Sequence, residues 1–146
     1  MTAGSIRFGE AESGARLEIE ILGLRHPEVA EPEGLDLLDI RVHADAPPVD
    51  AYFDLVLRVE ELHELTDYLV RIVSGNGPQE MLALADGLLE LRFAPSRRGP
   101  VLLGVTLKSV DLSHVRIEYL VTLEPRHISR ACAALQAVVA PNNLRG

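Results

Sequence analysis

The chain has 146 residues, a formal net charge of −8 and a single cysteine, Cys132. This length fits one domain, residues 1–146, that buries about 70% of the surface exposed by the unfolded chain, so its core needs no disulfide or metal. No charged-then-apolar leader opens the sequence, and we expect a cytoplasmic protein. No apolar run approaches the ~18 residues that a membrane span requires, so we expect no membrane contact.

The negative charge is concentrated in the first half. Residues 1–73 hold 16 acidic and 6 basic residues, a balance of −10, whereas residues 74–146 hold 6 acidic and 8 basic residues, a balance of +2. An acidic surface repels phosphate backbones and attracts basic proteins, so the composition disfavours direct nucleic-acid binding and favours a basic protein partner. The alternative is that the charge serves solubility alone.

The first half predicts three strands and a helix after a frayed or edge-lying lead-in at residues 1–13. Apolar and polar residues alternate in "RLEIEIL", "LLDIRVHA" and "AYFDLVLRV", the period of half-buried strands. The prolines of "DAPPVD" predict a turn between the second and third strands. A helical stripe follows at Leu62, Leu65, Leu69 and Ile72, and Gly75 and Pro78 end the helix.

The second half repeats this order. Strands are predicted at "GLLELRF", "VLLGVTLKS" and "VRIEYLVTL", and "PQEMLALAD" ahead of them is either a short extra strand or a turn. The second helix begins near Pro125, with an apolar stripe at Ile128, Cys132, Leu135 and Val139. We therefore predict two β-β-β-α units, residues 16–74 and 88–140. Duplication and the convergence of two alternating patterns both explain their similarity.

These elements predict an α+β fold, an antiparallel sheet of about six strands with two helices on one face. The other face stays open and polar, and the pleat exposes Asp39, Arg41 and His43 on it. Carboxylates of the first half, together with an aromatic anchor, form the predicted partner-binding surface. Its residues are Glu28, Glu31, Glu33, Asp36, Asp39, Asp45, Asp50, Tyr52 and Asp54.

Catalytic and metal sites are weakly indicated. His43 with Asp39 and Asp54 is the best catalytic candidate, since a carboxylate can orient an imidazole for general-base work. A surface histidine among salt-bridging charges is the stronger interpretation, because no nucleophile or pocket accompanies it. The acidic loop lacks the ligand spacing of a calcium loop, and the histidines and Cys132 lack zinc spacing. We predict no metal, no cofactor and no enzymatic activity.

Several segments carry a family resemblance: "LEIEILGLRHP", "GLDLLDIRVHA", "FDLVLRVEELHELTDYLVRIVSG", "LLELRFAP" and "IEYLVTLEPRHISRACAAL". In this order, from about Leu17 to Leu135, the chain resembles the WapI-type bacterial immunity proteins, small cytoplasmic proteins that neutralise toxins. The resemblance implies binding to a toxin domain, often a nuclease with a basic site. A small ligand-binding protein or enzyme that uses the open face around His43 is the alternative, and a homodimer formed through an exposed edge strand is a third.

Overall fold

The structure is a computed structural model that describes residues 4–10, 14–25, 37–75, 80–94, 100–109 and 115–140. The first half forms β1 (Gly4–Phe8), β2 (Arg16–Leu24), β3 (Leu37–Ala46), β4 (Val49–Arg58) and α1 (Val59–Val73). The second half forms β5 (Leu82–Leu84), a 3-10 turn (Ala85–Gly87), β6 (Leu89–Ala94), β7 (Val101–Lys108), β8 (Arg116–Leu123) and α2 (Pro125–Val139). The predicted α+β class and antiparallel strands are confirmed.

The strands form two antiparallel sheets, which corrects the prediction of one sheet with about six strands. The first sheet has the order β1-β2-β3-β4 and the second has the order β5-β6-β7-β8, so each half has four strands before its helix rather than three. β5 lies in "PQEMLALAD", so the short extra strand predicted there is confirmed, and β1 lies in the predicted lead-in, at the edge of the first sheet. With five and three residues, both strands are too short for alternation alone to identify them. Alternation also shows which face of a strand is buried but not which strand lies beside it, so it does not divide the strands between sheets.

A shared hydrophobic core joins the two sheets. Phe93 of β6 is buried, and its ring contacts Phe8 of β1 edge-on with the centroids 6.1 Å apart. The ring of Tyr68 in α1 lies 5.6 Å from the ring of Phe93. The helix of the second half reaches the first sheet, where Val138 of α2 packs against Gly4 of β1. The two halves are therefore interlocked, and each sheet keeps one face, its open face, on the outside.

Both helices lie where the apolar periodicity predicts them. α1 buries Leu62, Leu65, Thr66, Tyr68 and Leu69, and α2 buries His127, Ile128, Ala131, Cys132, Leu135 and Val138. Gly75 follows α1 with a φ of +84°, a conformation that favours glycine at the end of a helix, and Pro125 occupies the first turn of α2. Within the described ranges, neither helix is long and apolar enough to cross a membrane.

Polar contacts also connect the halves. The Glu61 carboxylate accepts hydrogen bonds from the backbone N–H of Arg58, at 3.0 Å, and of Ala85, at 2.8 Å. This side chain therefore ties the start of α1 to the turn that precedes β6. At the other side of the fold, the Tyr119 hydroxyl of β8 donates to the backbone carbonyl of Arg16 at 3.1 Å. The open faces of the two sheets are thus held in a defined relation by the core and by these bonds.

Candidate partner-binding surface

Five of the predicted partner-binding residues share the open face of the first sheet. In β3 and β4, residue pairs face each other across the strands as Asp45 with Asp50, His43 with Tyr52, and Arg41 with Asp54. Asp39 lies at the end of the same row of β3 side chains, opposite Val56. The alternation of side chains along each strand brings these positions to one surface. The other four predicted residues, Glu28, Glu31, Glu33 and Asp36, lie outside the described residues.

Each described carboxylate of this surface contacts a basic side chain. The guanidinium Nε atoms of three arginines lie 2.9 to 3.1 Å from carboxylate oxygens, in the pairs Arg16–Asp45, Arg25–Asp39 and Arg41–Asp54, and His43 pairs with Asp50. The hydrogen bond and the charge of Asp54 raise the pKa of Arg41. The open face of the first sheet is therefore a lattice of paired charges. Among the described residues, further negative charge lies on the exposed Glu60, Glu64 and Asp67 of α1.

Tyr52 is the most prominent side chain on this face. Tyr52 is 64% exposed. Its ring stacks on the His43 imidazole, with the ring centroids 4.3 Å apart and the ring planes 9° from parallel. The imidazole Nε2 is hydrogen-bonded to the Asp50 carboxylate. We call Asp50, His43 and Tyr52 the Tyr52 cluster. The stack and the hydrogen bond hold an exposed aromatic ring in a fixed orientation between the carboxylates of Asp50 and Asp54.

The prediction that the pleat exposes His43 is wrong. His43 is only 9% exposed although it belongs to the open face, because the ring of Tyr52 covers it and Asp50 binds its Nε2 atom. Alternation predicts the face on which a side chain lies, but not whether a larger neighbour covers it. The predicted catalytic group of His43, Asp39 and Asp54 is not assembled either, since the two aspartates pair with arginines.

A shallow concavity of about 330 Å³ on the first sheet lies away from His43. Its lining includes Gly23, Arg25, Asp39, Arg41 and Asp54, so the two ion pairs formed by these residues occupy its wall. The β2 strand is irregular here, with a shift of register between Ile21 and Gly23. The irregularity lies beside the concavity, and the described lining residues include no serine, threonine or cysteine.

A larger hollow, which the sequence pattern did not predict, lies on the open face of the second sheet. It has a volume of about 480 Å³ and lies where Gly104 of β7 faces outward between Arg92 and Leu120. Met81 and Leu120 supply its apolar part, and Leu120 is 63% exposed. We call Met81, Gly104 and Leu120 the second-sheet hollow. Part of this signal was present in the sequence, because Leu120 occupies a position whose neighbours on the same face of the strand, Glu118 and Thr122, are polar.

Paired charges surround the second-sheet hollow. Lys108 Nζ lies 3.1 Å from Glu90, and Arg116 contacts Glu118 at 2.5 Å. The hydrogen bond and the charge of Glu118 raise the pKa of Arg116. An apolar centre within a rim of paired charges is the usual composition of a protein-binding patch.

The described residues hold no group of three or more histidine, cysteine, aspartate or glutamate side chains arranged to bind a metal ion. Cys132 is buried in the core side of α2, and burial raises the pKa of its thiol. A thiol that stays protonated is a poor nucleophile, so Cys132 serves as a small buried hydrophobic residue.

Burial first, and the charge of Asp45 second, raise the pKa of Tyr119. The folded protein keeps the Tyr119 proton, whereas the unfolded chain releases it with a pKa near ~10. The resulting stability is therefore fully present below pH ~10 and is lost as the pH rises toward the higher pKa of the folded state, by at most ~1.4 kcal/mol per pH unit. Tyr119→Phe should cost about 1 kcal/mol at neutral pH through the lost hydrogen bond to Arg16.

Urea unfolding of wild type and Tyr119→Phe at neutral pH and at several values above pH ~10 tests this expectation. The difference between the two proteins should shrink as the pH rises, because only the wild type carries the Tyr119 proton. A difference that stays constant with pH would show that Tyr119 titrates alike in the folded and unfolded chains.

Comparisons with known proteins find no match: no family model, no curated protein and no solved structure is significantly similar to this chain.

Proposed function

We propose that this protein is a non-enzymatic interaction protein that binds a basic protein partner through the open face of its first sheet. The observation that carries the proposal is the Tyr52 cluster, an exposed aromatic ring that is held in place and flanked by carboxylates. Aromatic anchors dominate the energy of many protein interfaces. A ring that is already fixed loses little conformational entropy when a partner binds.

The charge of the chain supports a basic partner. A net charge of −8 attracts a positively charged protein over long range and raises its association rate. At short range, a lysine or arginine of the partner fits over the face of Tyr52 as a cation–π contact while it approaches the exposed carboxylates of Asp50 and Asp54. The arginine-paired carboxylates of β3 then contribute orientation more than net attraction, since their charge is already balanced.

Because the chain resembles the WapI-type immunity proteins, the proposed partner is a toxin domain whose site the protein obstructs. Toxins that act on nucleic acids carry a basic site, and an acidic protein with an aromatic anchor complements such a site in charge and shape. Under this proposal the predicted residues Glu28, Glu31, Glu33 and Asp36 add to the attraction around the Tyr52 cluster.

The proposal is tested with a partner identified by affinity capture from the native cell and then purified. We expect Tyr52→Ala to weaken binding by about 2 kcal/mol or more, which is roughly thirtyfold. Asp54→Lys should weaken it as well, and raising the salt concentration should slow association. Titration calorimetry and association kinetics measure these effects, and toxicity in cells that co-express both proteins measures neutralisation.

Matched controls lie on the other sheet. Leu120 is as exposed as Tyr52, and Glu118 forms an exposed ion pair with Arg116 as Asp54 does with Arg41. Leu120→Ala and Glu118→Lys should therefore leave binding to the first sheet unchanged. Salt-insensitive binding that survives Tyr52→Ala would reject the proposal.

A ligand-binding function is the second candidate, and the second-sheet hollow favours it over the neighbourhood of His43. A concavity of about 480 Å³ has the size of small-molecule sites, and its glycine floor lets a ligand approach the backbone closely. In the same experiment, loss of binding on Leu120→Ala with no effect of Tyr52→Ala would transfer the function to this hollow.

A further inference from the structure

A third cavity lies where the β1–β2 hairpin meets the first turn of α2. It encloses about 300 Å³, and its lining residues are Arg7, Gly9, Glu10, Arg16, His127 and Arg130. Three of these six residues carry a guanidinium group, and one carries an imidazole. None of these residues belongs to the Tyr52 cluster or lines the second-sheet hollow, so neither surface described above accounts for the cavity.

His127 forms the buried wall of this cavity. It is 5% exposed, and its Nδ1 atom accepts a hydrogen bond of 3.1 Å from the backbone N–H of Glu124. A ring nitrogen that accepts carries no proton, so the proton of the neutral ring lies on Nε2. In the described part of the chain, this buried Nε2 has no hydrogen-bond partner. His127 therefore presents a buried donor that lacks an acceptor, which is a costly arrangement unless a ligand or solvent supplies one.

The Glu10 carboxylate lies at the cavity but does not satisfy this donor. One of its oxygens is 3.3 Å from His127 Nε2 without hydrogen-bond alignment, and 3.5 Å from Arg130 Nη1. The Glu10 carboxylate thus lies near both His127 and Arg130, at distances slightly too long for strong hydrogen bonds. Its position shows that a negatively charged group is favoured beside these two side chains.

The remaining walls supply further donors. Arg7 and Arg16 contact Glu18 and Asp45 through their Nε atoms, so these pairs balance their charges and orient the other N–H groups of the two guanidinium groups. His127 lies in the first turn of α2, where the helix dipole favours negative charge, whereas Pro125 has no N–H and the backbone N–H of His127 is bonded to the Glu124 carbonyl at 2.9 Å. Guanidinium groups and a buried imidazole N–H are donors that tetrahedral oxyanions bind, and here they lie near the positive end of a helix dipole.

We propose that this cavity is a binding site for a small phosphate-type oxyanion, with His127 and Arg130 as its central donors. The phosphate class fits better than a carboxylate, because four oxygens can accept from His127, Arg130 and a further arginine at once, whereas a carboxylate has two oxygens. Glu10 competes with the ligand for the same donors. The inference is independent of the partner proposed for the first sheet.

Titration with inorganic phosphate at constant ionic strength tests the site in the full chain. The readouts are the ring nitrogen and carbon-bound proton signals of His127, assigned by their loss in His127→Gln, together with the melting temperature. We expect a saturable change of the His127 signals and a rise in melting temperature. Arg130→Gln should weaken phosphate binding about tenfold or more, since it removes a charged donor.

Arg126→Gln is the matched control. Arg126 lies on the same helix with nearly the same exposure as Arg130, pairs with Glu124 at 2.6 Å and is not among the residues that line the cavity. It should bind phosphate as the wild type does. Glu10→Gln should bind more tightly, because the competing charge is removed, and this gain cannot arise from misfolding.

Three results would overturn the proposal. The first is the absence of a saturable His127 response in both the wild type and Glu10→Gln. The second is equal weakening by Arg126→Gln and Arg130→Gln, which would mean general electrostatic attraction. The third is acetate binding as tight as phosphate binding, which would mean that the cavity does not select a tetrahedral oxyanion.

Discussion

Replacing Phe93 with alanine should lower the free energy of unfolding by about 3–5 kcal/mol. Phe93 is fully enclosed where the sheets and α1 meet, and its ring contacts Phe8 of the first sheet and Tyr68 of α1. The substitution removes the buried surface of the ring, leaves a cavity and abolishes both aromatic contacts. The free energy of unfolding of such domains is only about 5–15 kcal/mol, so this one substitution removes a large share of it. Urea unfolding followed by circular dichroism measures it.

Leu120→Ala is the control for this prediction. Leu120 belongs to the same sheet but faces outward, so its loss should change stability by no more than about 0.5 kcal/mol. If Phe93→Ala lowered the free energy of unfolding as little as Leu120→Ala does, Phe93 would not pack the second sheet against the first. The two values together therefore test whether the halves are interlocked.

Replacing Gly9 with alanine should cost about 3 kcal/mol, from two separate causes. Gly9 has a φ of +92°, a conformation that strains residues with a side chain. An added methyl carbon would also lie 2.9 Å from Val121 Cγ1 and 3.1 Å from the Ala15 carbonyl oxygen. The carbonyl belongs to the backbone and Val121 is buried in β8, so neither neighbour can move aside without disturbing the hairpin or the core.

Gly14 separates the two causes. It belongs to the same hairpin with a φ of +111°, but an added methyl carbon there meets no atom of the described residues within 4 Å. Gly14→Ala should therefore cost only the backbone strain, about 1–2 kcal/mol. Thermal and urea unfolding of both variants give the comparison. Equal costs would mean that Gly9 has no close contact with β8 and Ala15.

The proposed interaction surface depends on a contact that crosses two strands. Residues 43 and 52 are nine positions apart, and antiparallel pairing of β3 with β4 places them opposite each other. Only this pairing allows Tyr52 to cover the His43 imidazole and Asp50 to bind it. His43 and Asp50, which the sequence pattern places on the exposed face, then hold the Tyr52 ring in position. A catalytic histidine and a covered histidine are indistinguishable in the sequence, because both occupy the same side of the same strand.

The proposed anion cavity at His127 also depends on tertiary contacts that the sequence pattern does not show. Residues of the β1–β2 hairpin and of α2 that are more than a hundred positions apart meet there, such as Gly9 and Arg130. No motif connects them, since neither the spacing nor the local composition is unusual. The unsatisfied nitrogen of His127 depends on which backbone group binds its other nitrogen, and only three-dimensional geometry supplies that information.

The sequence by itself determined the local structure: the strands from Leu17, Leu38, Phe53, Leu89, Leu103 and Val121, the helices from the stripes around Leu65 and Leu135, and the acidic first half. These features follow from periods of two and 3.6 residues and from composition, which need no knowledge of distant neighbours. Tertiary structure alone decided the split into two sheets, the covering of His43, the pairing of the carboxylates with arginines, the second-sheet hollow and the cavity at His127. Each depends on which strands and helices become neighbours, and that choice is made by packing over the whole chain, because many pairings satisfy the same alternation.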